Sequence, residues 1–502
     1  MKMMIIALLL LLLLVGCGRN NGQFDEDLLV QYTIDENMYE DIRKQAPDTN
    51  TLPVTVSQQE RPITMADLRP AQSLNLTVEE LLYDFDYMFQ VMEDTFPFFG
   101  VVERRFGLDL HVLAEETREI IINYPYSLQA FAYEIGINLE DMPALDEHVF
   151  WSILLGDFFQ HFRPFAHAAT LDFSSPLRMG TFDSLNSRTF YHSQEALIQN
   201  LVAENPKLLP FYFRFDPSYH RPLEDYEYYE SSVSSQIITT AIIEDGSIAY
   251  LQIGHLLNNT NLFVHQLINF YEEIQEYEHL IIDMRDSGGG HAFTSPALIM
   301  YPLWYDRDNA PDMTMYAFFT DFDLARSLSQ RLQVMQAYVR EPDRVLSLSE
   351  ILEIDELPYL NEDDKPFLPY GFRINVNVNN INLNSSRTTS TLNIPRIPFA
   401  GEIWLLTSNQ NYSASAIFAN MAKGTGFATL VGEQVAGGLT ATTPYSFTLP
   451  NTGIVVVWDR DYLTDQYGRS LLEYLPTPHY FNKEGMDALE TTLSIISERR
   501  GY

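Results

Sequence analysis

The stretch Glu402–Gly424, EIWLLTSNQNYSASAIFANMAKG, joins an apolar run to a helical run through a small-residue serine turn. Glu402 to Thr407 reads as a buried strand and Ser413 to Lys423 as a helix that Gly424 stops, so Ser413 falls at a strand-to-helix junction. A hydroxyl mounted there gains from the partial positive charge and unpaired N–H groups of the helix N-terminus, which favour developing negative charge. The ordinary alternative is a serine that merely caps the helix. The stretch alone does not choose between them.

Working outward, Ser247 to Ile253 reads as a strand, Asn261 to Tyr277 as an amphipathic helix, and His279 to Met284 as a second, fully apolar strand. That is a βαβ unit. It runs into Arg285-Asp286-Ser287-Gly288-Gly289-Gly290 and then a helix pattern over Ala292 to Leu303. Three glycines let backbone N–H groups face a cleft without side-chain obstruction, as an oxyanion hole or a phosphate cradle requires. Neither Gly-x-Gly-x-x-Gly nor Gly-Lys-Ser/Thr is present, which leaves a nucleotide fingerprint unsupported. A tight connection is the plain alternative. The region from about 305 to 396 interrupts the alternation and reads as an inserted subdomain. A strand over Phe427 to Gly432, a last strand over Gly453 to Trp458 and a closing helix over Met486 to Arg499 complete the expected α/β domain.

Nearer the N-terminus, helical spacing covers Leu76 to Glu93, Leu110 to Asn123 and Asp146 to Phe162, so residues 76–173 read as a helical lobe. Residues 174–245 form a mixed connecting segment, and 18–75 a polar, acidic tether without a sustained apolar period. Residues 1–17 start with Met1-Lys2, continue in leucine and close on Leu14-Val15-Gly16-Cys17. This resembles a bacterial lipoprotein signal. Its apolar run is too short for a permanent span, and Cys17, the sole cysteine, would be the lipidated new N-terminus. The expected location is extracytoplasmic and membrane-anchored. With 68 acidic against 31 basic residues, a net −37, nucleic acid is not an expected partner. The histidines are scattered, without metal-ligand spacing.

The order strand, Arg-x-x-Gly-Gly-Gly, insertion, strand, Ser-Ala-Ser-x-Ile, helix, strand, Val431-Gly432-Glu433 resembles the C-terminal processing (tail-specific) serine peptidases and the tricorn core protease. The resemblance covers about 246–500 well and the helical lobe loosely. It implies an α/β, crotonase-like ββα-spiral catalytic domain with a helical N-terminal lobe and an inserted subdomain. It implies Ser413 as nucleophile, with an oxyanion hole from the N–H groups of Ala414 and of Gly288 or Gly289. No metal or organic cofactor is implied, and no PDZ module is evident between His167 and Ser247.

The processing peptidases take a lysine as base, at the place where this chain has Gly438. Lys423 is ten residues along the Ser413 helix, roughly 15 Å away at 1.5 Å per residue, and cannot serve. The tricorn-like branch has Gly-Gly here and uses a histidine from the helical lobe. Phe165-Ala166-His167-Ala168-Ala169-Thr170-Leu171 best matches that segment, which implies His167 as base; His161 and His291 are the rivals. Leu472-Glu473-Tyr474-Leu475-Pro476 is a degraded match to the branch's glutamate segment, which implies Glu473. Ala166 and Ala416 depart from the family pattern, replacing a hydroxyl and an acidic residue.

The function expected is a lipid-anchored extracytoplasmic serine endopeptidase that cuts peptide or protein substrates through an acyl-enzyme. The alternative is a catalytically inactive binding lipoprotein that retains the fold, motivated by Ala166 and Ala416.

Overall fold

His279–Asp283 (β4) and Glu402–Thr407 (β8) are nearly continuous apolar runs because they lie side by side at the centre of a sheet buried on both faces. The computed structural model describes residues 74–129, 142, 144–163, 165–170, 238–254, 256, 261–290, 294–304, 313–335, 345–376, 395–440 and 444–501. The signal-like segment with Cys17, the expected tether up to residue 73, His291 and residues 171–237 of the connecting segment lie outside them. Among the described residues no helix is long and apolar enough to cross a membrane. These residues fall into two compact units. One holds residues 74–170 with 444–458, the other 238–440 with 459–501.

In the second unit, Ile238–Glu244 (β2), Ile248–Ile253 (β3) and Thr429–Gly432 (β9) join β4, β8 and Tyr480–Phe481 (β13) in a six-stranded sheet. The order is β13-β9-β8-β4-β3-β2. Every neighbouring pair is parallel except β2 with β3. Asn261–Glu273 (α5) makes the β3–β4 crossover, and Thr294–Leu303 (α6) follows β4. Ala414–Gly424 (α9) joins β8 to β9, as short parallel connections demand. On one face Ile281, Trp404, Leu406 and Val431 pack with Ile495 and Ile496 of the closing helix, Ala488–Arg500 (α10). The residues between them, Leu280, Ile282, Leu405 and Leu430, are buried on the other face. Each such side chain contributes about 1.5–3 kcal/mol by leaving water.

Met313–Phe319 (β5), Leu346–Ser347 (β6) and Tyr370–Val376 (β7) lie in the stretch expected as an insertion, with helices Phe322–Met335 (α7) and Leu348–Ile354 (α8). They form a second sheet, order β12-β5-β7-β6, completed by Tyr462–Asp465 (β12) from well beyond residue 396. This sheet is therefore not closed by residues 305–396 alone.

The first unit is built on Val78–Thr95 (α1), Phe99–Phe106 (α2), Leu110–Ile122 (α3) and Glu147–Ile153 (α4). Thr77 and Glu80 form a capping box at the start of α1, and Asp109 caps α3. Phe85, Phe96, Phe98, Phe158, Phe159 and Phe162 fill its core. Ala169–Thr170 (β1), Tyr445–Thr448 (β10) and Val455–Trp458 (β11) make a three-stranded sheet here, order β1-β11-β10. This corrects the expectation that Gly453 to Trp458 closes the α/β domain. The cause is specific: the buried Asp84 carboxylate of α1 accepts hydrogen bonds from Asn451 N–H (2.8 Å), Thr452 N–H (2.7 Å) and Thr452 Oγ1 (2.7 Å). Trp458 Nε1 also donates to Thr95 Oγ1 at 3.0 Å.

Burial pushes the pKa of Asp86 up to about 6, against the opposing pull of Arg118 at 3.4 Å. A raised folded-state value means that this carboxyl's contribution to stability is complete below the unfolded value near ~4 and is lost as pH climbs through about 6. The loss should be on the order of 2 kcal/mol. Urea midpoints below pH ~5 and above ~7 should therefore converge in Asp86→Asn relative to wild type; an unchanged pH dependence would remove Asp86 as its source.

Candidate active site

Ser413 stands before the first residue of α9, at the N-cap position, with φ +55° and ψ −126°. That backbone is one that L-residues other than glycine rarely hold. Ser is among the best capping residues, and the N-cap side chains of α1, α3, α4, α8 and α10 (Thr77, Asp109, Asp146, Ser347 and Asp487) all cap their helices. Ser413 makes no side-chain capping bond. Ser413 is left half-buried at a sharp strand-to-helix turn, a mounting like that of the serine in the α/β-hydrolase nucleophile elbow.

Two glycine turns hold this position. Ser413 N–H donates to Gly437 O at 2.9 Å. On the other side Gly289, at φ +124°, comes so close that a Cβ on it would lie 2.8 Å from Tyr412 O and 2.9 Å from Ser413 Cβ. Ala414 N is 3.3 Å from that same point. As the first residue of the helix, Ala414 has an N–H with no acceptor inside it. Gly288 is exposed, with nothing within 4 Å of where its Cβ would be, so its side of the turn is open. Gly289 and the Ala414 N–H thus lie beside Ser413, while Gly288 is exposed.

The clamp that sets this spacing consists of residues whose part the sequence reading missed. Asn411, fully buried, donates through Nδ2 to Met284 O and, at 3.2 Å, to Ser287 O. Ser415 Oγ lies 2.7 Å from Ser287 O and 2.8 Å from Tyr412 O, and Ser408 Oγ donates to Arg285 O at 2.6 Å. All three belong to the serine turn and bind carbonyls of the glycine turn. Their only signal in sequence is three short polar side chains packed into an otherwise apolar junction. Below the glycine turn, Arg285 bridges the buried Asp283 (2.7 Å) and Asp487 (2.8 Å), while Tyr250 donates to Asp283 at 2.7 Å. The carboxylates hold the guanidinium well above its usual range.

Gly438, at φ +70°, has the Tyr412 ring where a side chain would begin; a Cβ would meet Tyr412 Cζ at 2.5 Å. A lysine at this position would have to displace that ring and hold a left-handed backbone. Lys423 is no substitute, since its Nζ is engaged with Thr477, at 2.7 Å from the carbonyl oxygen and 3.2 Å from Oγ1.

Glu473 is half-buried in a turn where its N–H donates to Ser470 O at 3.1 Å. Two residues on, Leu475 O accepts from Gln434 Nε2 (3.2 Å), and the Leu475 side chain borders Gly437. The Glu473 segment therefore packs on the loop that holds Ser413 N–H.

His167 belongs to the first unit. It follows Ala166, and both have left-handed backbones, φ +53° and +50°. Phe165 anchors the turn against Phe98 and Phe106, with ring centroids 5.6 Å from each, and Ala168 N–H donates to Phe165 O at 3.0 Å. β1 then pairs with β11 immediately after. Two successive non-glycine residues in this region cost roughly 1–3 kcal/mol each and persist only where packing overrides them. His161 is exposed. Ala166 and Ala416 are both fully buried, so a carboxylate at 416 would have no water.

Ser413 thus stands in a left-handed backbone at a strand-to-helix turn, with a glycine turn packed against it. Residues 247–473 match the family model Peptidase family S41. Members of the family are serine peptidases. Among solved structures, mature CPAF complexed with lactacystin is 12% identical, with 84% of this chain and 97% of that chain covered and a TM-score of 0.46. The photosystem II D1 C-terminal processing protease is 14% identical over 49% and 48%, with a TM-score of 0.29. The tricorn protease is 16% identical over 55% of this chain and 19% of that chain, with a TM-score of 0.27. No curated protein matches the chain.

Proposed function

We propose that the chain is a lipid-anchored, extracytoplasmic serine endopeptidase, attached through Cys17, whose second unit is a crotonase-like core bearing Ser413. The observation that carries this reading is the Ser413 backbone at φ +55° with a hydroxyl that caps nothing, in contact with Gly289. In this mechanism Ser413 Oγ attacks the peptide carbonyl while His167 takes its proton. The N–H groups of Ala414 and of Gly288 or Gly289 receive the oxyanion. Collapse of the tetrahedral intermediate breaks the C–N bond, His167 gives the proton to the leaving amine, and water then hydrolyses the acyl-enzyme. Glu473 helps to hold the constellation. The glycine at 438, with its φ of +70° and the Tyr412 ring packed on it, favours a histidine base over a lysine.

Fluorophosphonate labelling of the chain tests the assignment of the base. His167→Ala should slow labelling of Ser413 by at least ~100-fold, the usual worth of a positioned base, without loss of the folded state. Labelling at the wild-type rate would remove His167 and leave His161 and His291 to be tested in its place.

A further inference from the structure

The second sheet carries a site unrelated to Ser413. Successive residues of β5 point to opposite faces. Met313 and Met315 face α9, where Met313 Sδ lies 2.7 Å from a Cβ position on Gly424 and Asn420 Nδ2 reaches Met315 Sδ at 3.9 Å. Thr314 and Tyr316 face the other way, into an open cavity of about 650 Å³. The sheet therefore separates this cavity from the Ser413 helix.

Its walls are fixed before any ligand arrives. Tyr359 N–H donates to Tyr467 O at 3.1 Å, joining the two rims. Gly468, at φ +86°, sits where a Cβ would lie 2.9 Å from Leu357 Cβ and from Leu360 N, so the turn packs against that segment. The Arg469 guanidinium lies 5.3 Å from the Tyr359 ring centroid and 5.4 Å from that of Tyr467, and Asp465 holds it at 2.7 Å. Tyr359 and Tyr467 nevertheless remain 61% and 44% exposed, unusual for tyrosines so firmly placed.

Arg373 differs from Arg469. It sits on β7 opposite Tyr316, is exposed, and is steadied by Asn375 Oδ1 (3.1 Å) and Thr314 Oγ1 (3.4 Å). Both are neutral partners. Among the described residues no carboxylate forms an ion pair with it. Asp355, the acidic residue closest in kind, hydrogen-bonds to the buried Tyr316 hydroxyl. On a chain of net charge −37, an exposed guanidinium left without a carboxylate in a preformed concavity is a place kept for one.

We propose that this cavity binds an acidic peptide segment of a protein partner, with a side-chain carboxylate on the Arg373 guanidinium and the adjoining chain against the Tyr359 and Tyr467 rings. Glu356 on the rim accepts peptide N–H groups. The net negative charge repels acidic peptides everywhere else, so the site selects by local geometry against the field of the whole molecule.

Fluorescence anisotropy on the full chain carrying Ser413→Ala tests the proposal without cleavage. The probe is a fluorescein-labelled, C-terminally amidated peptide of Glu and Tyr spaced by Gly. The controls are its Gln counterpart and the Gln counterpart with a free C-terminus. The Glu peptide should bind and the amidated Gln peptide should not. Arg373→Ala should weaken binding by at least about tenfold, and Arg373→Lys should restore only part, a point charge replacing a fork. An exposed Arg373 leaves folding intact, which the melting temperature checks. Absence of binding by the Glu peptide, unchanged binding in Arg373→Ala, or preference for the free C-terminus would each overturn it. Fluorophosphonate labelling of Arg373→Ala with Ser413 intact should stay at the wild-type rate, so this inference and the Ser413 reading fail separately.

Discussion

Ser413→Ala is expected to abolish fluorophosphonate labelling and to lower peptide hydrolysis by roughly 10³- to 10⁶-fold, the range over which nucleophile removal leaves only binding and oxyanion stabilisation. The same substitution should leave stability within about 0.5 kcal/mol of wild type. That second readout separates the two readings of the serine. A true N-cap serine costs about 1 kcal/mol when replaced by alanine. Ser413 caps nothing, so its loss should be kinetic alone. The control is Ser415→Ala. Ser415 is buried between Ser287 O and Tyr412 O, so its removal should destabilise the turn while leaving a nucleophile to be labelled. Labelling that persists in Ser413→Ala, or a loss of stability with labelling retained, would return Ser413 to the role of a cap.

Gly289→Ala should cost about 2–5 kcal/mol and remove labelling at the same time. Its φ of +124° is poorly tolerated by any side chain. The methyl would also press on Tyr412 O at 2.8 Å, a backbone atom that cannot swing aside. Relief would require the glycine turn to retreat, stretching the hydrogen bonds from Asn411 and Ser415 to Ser287 O. Gly288→Ala supplies the contrast, because open space surrounds its Cβ position. It should fold normally, and its effect on labelling then reports how closely that edge of the turn approaches the reacting group. Wild-type stability and labelling in Gly289→Ala would mean that the two turns are not in contact.

Much of this was legible because burial leaves a mark on composition. β4 and β8 must be apolar on both faces, so HLIID and EIWLLT announce central parallel strands before any partner is known. Helix α9 follows from its small and apolar residues. β11 shows the limit: VVVW says that the strand is buried but not in which sheet. That choice is made by Asp84, 368 positions from Thr452, and a single carboxylate in a helix gives no sign of such a partner. The same distance hides the clamp. Asn411 and Ser415 bind carbonyls more than 120 positions upstream, and carbonyls have no identity in a sequence. The left-handed backbone of Ala166 and His167 is hidden for another reason: neither residue prefers it, so tertiary packing must impose it. Glycine would have advertised the turn.

The Tyr412 ring lying over Gly438 has a consequence for descent. Installing a lysine at 438 is not one mutational step in this chain, since its first side-chain carbon would meet the ring and it would inherit a φ of +70°. The ring would have to swing away or shrink first, opening a hole beside the serine turn before any new side chain could occupy it. Intermediates of that kind lose packing without gaining chemistry. An aromatic ring packed over a glycine thus limits the chemistry this loop can carry by occupying space rather than by reacting.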